Sequence, residues 1–536
     1  DYLYKPVALA RYLGDFFTQF YYLRGGGAIV ITIHLLILWL LLRSMIRRFS
    51  GTQTAPLTAL IPVVTVLALH TRLSYSLSFT VAVILSIAAL LLLLSIRRNA
   101  LRLTAGFLLV PILYWAAGSP MLLFALLFAV YEAKHATGTL PGRIAGFLVV
   151  PVALLQPLLL RGYYLLTWEQ AWLTPAVHPS DSQTWLLLIP LTIVTVILLP
   201  RPVQRRIPAW EPILEITVIT VFGTWSISRL AEFDLEKLLA VDSEIYFNHE
   251  DKAQEILKKY QLKSSAGAYF HNLLASKSDC LPEQLMNAGQ TGPQGLFLPV
   301  DPQQNYVSIT FANEVYYYLG DVNASQHLAL LGMIFSPRSE SSRLMRRLVR
   351  VNIINAEYAV AEKYIGMLEK SLFHEQWGTS MRQYLNNEDH CLATPWIMKK
   401  RRLRPLSEDL KSINDVEKTL QLLLERDPQN KAAFDYLNCW YLLGKDVDKF
   451  SRLCLSQPEI GLKQLPELYQ QALLICYMQN PRAGIREKVT FNPEVVARFR
   501  QYNDEFEKNQ GKGHALQKVF GNTYWFYYHY ANLKGN

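Results

Sequence analysis

The chain has 536 residues, with 53 Lys and Arg against 43 Asp and Glu, a formal net charge of +10. Residues 1–230 carry 17 basic and 7 acidic side chains and residues 231–536 carry 36 of each, so the whole surplus lies in the first part. A basic surplus confined to the most apolar stretch marks the short loops of a membrane protein; it excludes a nucleic-acid binder, whose charge would cover a soluble face, and a single soluble domain.

The first residue is Asp and not Met, so a signal peptide or a further span can precede it, and nothing in the chain tells the two apart. Within residues 1–25, Val7, Leu9, Tyr12, Leu13, Phe16, Phe17 and Phe20 recur at helical spacing. That predicts an amphipathic helix lying in the outward membrane interface. Residues 26–229 then hold eight apolar runs, at about 26–42, 55–69, 77–96, 103–117, 120–131, 144–160, 185–199 and 213–227. They predict a transmembrane bundle of about eight helices, in which the shorter runs borrow flanking residues to reach the roughly 20 needed. The run at 120–131 is the weakest, and the turn Gly118-Ser119-Pro120 allows it to pair with the preceding helix.

Loop charges alternate. Exits from the first, third, fifth and seventh runs carry eleven basic residues: Arg43, Arg47, Arg48, Arg97, Arg98, Arg102, Lys134, Arg143, Arg201, Arg205 and Arg206. The other loops between runs carry two, Arg72 and Arg161. The positive-inside rule therefore makes the first set cytoplasmic and everything after Ile227 periplasmic, in a bacterial inner membrane. Lys5, Arg11 and Arg24 before the first run weaken this bias without reversing it. Among polar residues in the runs, His34 is expected to bond across a helix pair, and Glu211 and Glu215 to form a salt-bridged helix end with Arg205 and Arg206. Gln156 lies between Pro151 and Pro157. The outward stretch Arg161–Thr184 contains Tyr163, Tyr164, Trp168, Glu169, Trp172, His178 and Asp181, an interfacial aromatic belt.

The stretch Lys5-Pro6 through Ala10-Arg11-Tyr12-Leu13-Gly14-Asp15-Phe16-Phe17-Thr18-Gln19-Phe20-Tyr21-Tyr22, leading into Gly26-Gly27-Ala28-Ile29, resembles the start of a family of Gram-negative polytopic membrane proteins of unknown function. Where that family usually reads Pro-Gly-Gly-Leu-Ala-Glu-Tyr, this chain has Pro6-Val7-Ala8-Leu9-Ala10-Arg11-Tyr12, without either glycine or the acid. Asn430-Lys431-Ala432-Ala433-Phe434-Asp435-Tyr436-Leu437, followed by Tyr441-Leu442-Leu443, resembles a second family feature. The resemblance implies the membrane architecture and names no activity.

From about Arg229 the pattern becomes charged and helically periodic. Trp440-x-x-Leu443-Gly444-x-x-Val447, preceded by Asp427-Pro428-Gln429-Asn430, resembles the first helix of a tetratricopeptide unit, and Tyr316-x-x-Leu319-Gly320 is a looser match. Helices are predicted over 340–355, 356–372, 414–426, 465–478, 493–509 and 515–533, with Asn492-Pro493 as a capped start. The fold class is therefore all-α: a transmembrane bundle followed, over 230–536, by a periplasmic, tetratricopeptide-like α-solenoid of irregular spacing with Leu319, Tyr436 and Leu443 in its core. Cys280, Cys391, Cys439, Cys454 and Cys476 lack metal-ligand spacing and read as buried apolar side chains. The aromatic run 524–530 is too dense to bury on one helix face, which makes Trp525 and Tyr528, with Trp168 and Trp172, candidates for an interaction surface.

Phosphate-loop, GxSxG, HExxH and dinucleotide motifs are absent. Two readings of function follow. In one, the solenoid binds envelope proteins as a scaffold. In the other, the chain is a membrane glycosyltransferase using polyprenyl-phosphate sugars at an outward site. Its catalytic acid would be Asp1 or Asp15, its lipid-phosphate ligands Arg72 or Arg161, and a divalent metal its cofactor.

Overall fold

The described residues of each of the eight apolar runs are mostly helical, because an apolar segment without water must satisfy its backbone internally. In chain order the helices are α1 (Ala8–Thr18), α2 (Gly26–Ser50), α3 (Leu60–Leu69), α4 (Leu77–Leu93), α5 (Asn99–Ala117), α6 (Met121–His135), α7 (Leu140–Tyr164), α8 (Trp168–Leu173), α9 (Leu188–Leu198) and α10 (Trp210–Leu230). The computed structural model describes residues 2–50, 57–135, 140–175, 186–198, 210–262, 264–300, 306–336, 341–405, 415–456, 465–481 and 484–532. Among these there is no β-strand. The chain divides into two compact units, Asp1–Glu232 and Phe233–Asn536.

In the first unit four helical stretches, Gly26–Ser50, Asn99–Ala117, Ile144–Tyr164 and Pro212–Leu230, are long and apolar enough to cross a membrane. The other four runs give helices of 10, 17, 15 and 11 residues. The weakest run forms a well-enclosed helix: Met121, Phe124, Leu127 and Phe128 of α6 are fully buried. A helix apolar all round belongs inside a bundle, so α6 gives no amphipathic signal. The helix α1 packs through Val7, Ala10 and Gly14, with Leu13, Phe17 and Phe20 half-buried against the same cluster, while Leu9 and Tyr12 point outward. A Cβ on Gly14 would lie 2.2 Å from Ser78 Oγ, so only glycine admits the close crossing of α1 over α4.

The second unit comprises α11 (Phe233–Tyr246), α12 (Glu250–Tyr260), α13 (Ser265–Lys277), α14 (Leu281–Gln284), α15 (Tyr306–Leu319), α16 (Val322–Phe335), α17 (Ser342–Ile354), α18 (Tyr358–Leu368), α19 (Glu375–Met381), α20 (Glu388–Leu392) and α21 (Pro395–Leu403). It continues through α22 (Val416–Arg426), α23 (Lys431–Leu443), α24 (Val447–Ser456), α25 (Glu467–Gln479), α26 (Ile485–Lys488), α27 (Pro493–Lys508), α28 (Gly513–Phe520) and α29 (Tyr524–Tyr530). Starts are set by short polar side chains that accept a backbone N–H of the first turn: Asp321 from Ala324, Ser341 from Leu344, Asn430 from Ala433 and Asn492 from Glu494. Consecutive helices pack together from α15 to α18 and again from α22 to α24. Leu319, Tyr436 and Leu443 are buried in the main core. The helix expected over 515–533 is instead two, because Thr523 accepts the N–H of Phe526 and starts α29 afresh after Gly521.

Candidate functional site

The sequence-predicted residues fall in separate settings. Asp1 lies outside the described residues, as do His178, Asp181, Arg205 and Arg206. Asp15, on α1, accepts the Tyr2 hydroxyl at 2.9 Å. Arg72 pairs with Glu232 at 3.7 Å. Arg161, at the end of α7, donates to the Leu166 carbonyl at 3.1 Å and lies 4.3 Å from the Trp168 ring centroid. Thr167 starts α8 with a reciprocal capping box and leaves Trp168 58% exposed, with Trp172 half-buried. His34 does not bond across a helix pair. Its Nδ1 meets the Val30 carbonyl of its own helix at 2.8 Å, and its ring meets Phe17 edge-on. Glu215 accepts the Leu57 N–H at 3.0 Å.

The aromatic run near the end is absorbed by its own unit. Trp525 is fully buried and its indole N–H donates to the Gln471 carbonyl at 2.9 Å. Tyr524 and Tyr527 donate their hydroxyls to the carbonyls of Leu442 and Leu443, the last residues of α23, at 3.0 and 2.7 Å. Tyr528 is half-buried and accepts from the Gln479 side-chain amide at 3.0 Å. Trp525 is thus core and not surface: α29 is wedged among α25, α27, α28 and the end of α23, with His529 left exposed.

In the first unit, α5 and α6 share a buried ion pair. Arg102 donates to Glu132 through Nε at 2.6 Å and Nη2 at 3.1 Å, and Nη1 reaches the Ile96 carbonyl. One fork making two bonds to one carboxylate satisfies most of both groups, which is what makes such a pair tolerable away from water.

The densest polar chemistry lies elsewhere, on α17. Arg343, Arg346, Arg347 and Arg350 recur at i, i+3, i+4 and i+7 and so share one face of the helix. Arg343 donates to Asp242 of α11, with Nη2 at 2.9 Å from Oδ1, and to Glu314 of α15 at 2.9 Å. Arg347 donates to the other oxygen of Glu314 at 2.7 Å. Burial alone would raise the Glu314 carboxyl, but Arg347 and Arg343 outweigh it and hold the group below the usual carboxylate range. Aromatic faces link the guanidinium groups. Tyr246 lies under Arg343 and Arg346 at 5.0 and 5.5 Å, and Trp377 under Arg346 and Arg350 at 4.4 and 5.8 Å. Tyr317 lies under Arg347 at 3.7 Å. Lys400, on α21, donates to the carbonyls of Tyr317 and Tyr318, and burial, then Arg347, lowers it to about 7. Sequence reading took 340–355 only as a repeat helix, although the arginine spacing was there to be seen.

Among the described residues no group of three or more His, Cys, Asp or Glu is placed to hold a metal ion. All five cysteines are free, four of them buried. The model for a Family of unknown function (DUF6057) matches residues 1–531. The chain belongs to that family. No curated protein and no solved structure matches it. Membership in DUF6057 spans both units, so the membrane-length helices and the helical second unit belong to one family pattern.

Proposed function

We propose that this DUF6057 protein is a multi-pass protein of a Gram-negative inner membrane whose second unit is a periplasmic, tetratricopeptide-like α-solenoid that binds envelope proteins as a scaffold. The orientation rests on the eleven basic residues against two in alternating loops. The binding role rests on α16, where Leu330 and Ile334, one turn apart, are 39% and 63% exposed. Apolar side chains repeated one turn apart on an exposed helix face are anchors of the kind that partner proteins cover. Sugar transfer from a polyprenyl phosphate is the competing reading. It draws on layout alone, since Asp15 is engaged by Tyr2, Arg72 by Glu232 and Arg161 by Leu166 and Trp168.

A photocrosslinking amino acid at Ile334 in growing cells should yield one discrete adduct, which Leu330→Asp abolishes without lowering the protein's level. Absence of any discrete adduct at Ile334 contradicts the scaffold reading.

A further inference from the structure

Several arginines of the second unit pair with acids: Arg382 with Glu362 and Glu369, Arg401 with Glu388, and Arg402 with Asp427. The face of α17 carries more guanidinium groups than carboxylates. Its two carboxylates, Asp242 and Glu314, are taken up by Arg343 and Arg347. Arg346 and Arg350, both half-buried, meet rings and no carboxylate among the described residues. Arg347 is about nine-tenths buried, and its Nη1 has no hydrogen-bond partner. A buried guanidinium N–H left unmade costs free energy, and like charges a turn apart add to that cost. Burial lowers the Arg350 guanidinium from its ordinary value, and Arg347 and Arg346 lower it further. An anion beside Trp377 would relieve Arg346 and Arg350 together.

We propose that the arginine face of α17 binds a phosphate-class oxyanion, held by Arg346 and Arg350 over the ring of Trp377. Guanidinium forks suit an oxyanion with several acceptor oxygens, because each fork can bind two of them. Trp377, stacked under both Arg346 and Arg350, holds their planes before any ligand arrives, so little side-chain freedom is lost on binding. Lys400 is not part of the site, since its ammonium is committed to the Tyr317 and Tyr318 carbonyls. A free phosphate and a lipid phosphate headgroup present the same chemistry. The site requires neither the periplasmic orientation nor a protein partner.

The full-length protein in neutral detergent is titrated with inorganic phosphate against chloride at matched ionic strength, and separately with short-chain phosphatidic acid against phosphatidylcholine. Binding is read by calorimetry and by thermal shift. Saturable binding of inorganic phosphate assigns a free ligand, and saturable binding of phosphatidic acid alone assigns a headgroup; either result supports the site. Arg346→Gln with Arg350→Gln should weaken binding about tenfold or more, the loss of two charge-assisted contacts. Should that variant fail to fold, Arg346→Lys with Arg350→Lys keeps the charge, loses the forks, and should still bind several-fold more weakly. No saturable binding of either probe, or unchanged affinity in the variant that folds, overturns the proposal.

Discussion

Val7 adopts φ 62° and ψ 34°, the left-handed region, while being fully buried at the start of α1. A β-branched side chain is strained there. Alanine would keep the strain and lose most of the packing, whereas glycine loses the packing and the strain together. Val7→Gly should therefore be about 1 kcal/mol more stable than Val7→Ala, the reverse of their usual order, in thermal unfolding of the detergent-solubilised protein. Equal stability, or alanine the better, would show that the backbone relaxes. A second residue inverts an expectation of a different kind. Tyr436 was legible as core, and it is fully buried, but its hydroxyl has no hydrogen-bond partner. Tyr436→Phe should leave the midpoint of unfolding unchanged or raise it, worth up to about 1–3 kcal/mol, because a buried donor left unmade is removed. A marked fall in the midpoint would mean that the hydroxyl is satisfied in solution.

At the scale of elements, helix starts were readable wherever a short polar side chain precedes an apolar run, as at Asn430 and Asn492. Their local hydrogen bonds need no tertiary knowledge. What could not be read in full was which face each helix buries. In α1, Leu13, Phe17 and Phe20 pack as their spacing implies, but the closest approach to α4 is made at Gly14 and Ala10, small residues that carry little hydrophobic signal. The same gap hid the role of α29. Its dense rings looked like surplus surface, but the end of α23 supplies two carbonyls for Tyr524 and Tyr527, and Gln471 supplies another for Trp525. Trp525→Ala should thus destabilise the second unit by about 3–5 kcal/mol, as for other buried aromatics. Loss of less than about 1 kcal/mol in chemical denaturation would place α29 outside the cooperative core. Leu443→Asp, at a fully buried position beneath the same helix, should cost on the order of several kcal/mol through an unpaired buried charge. A native-like melting curve for that variant would contradict the packing of α23.

For the whole molecule, composition was the most informative signal. The shift from basic and apolar to neutral and amphipathic occurs near Arg229, and the first unit ends at Glu232. The α17 arginine face was less legible, because its acids come from α11 and α15, some thirty to a hundred residues away in the chain. The central claim is that the first unit crosses a membrane with the second unit on its outer side. Site-directed labelling tests it directly. With the half-buried Cys280 replaced by Ser, a cysteine at exposed Glu425 on α22 and another at exposed Lys134 at the end of α6 are challenged separately with a membrane-impermeant maleimide in spheroplasts. The account predicts that Glu425→Cys reacts in intact spheroplasts and that Lys134→Cys reacts only after lysis. Reaction of Glu425→Cys only after lysis would contradict it.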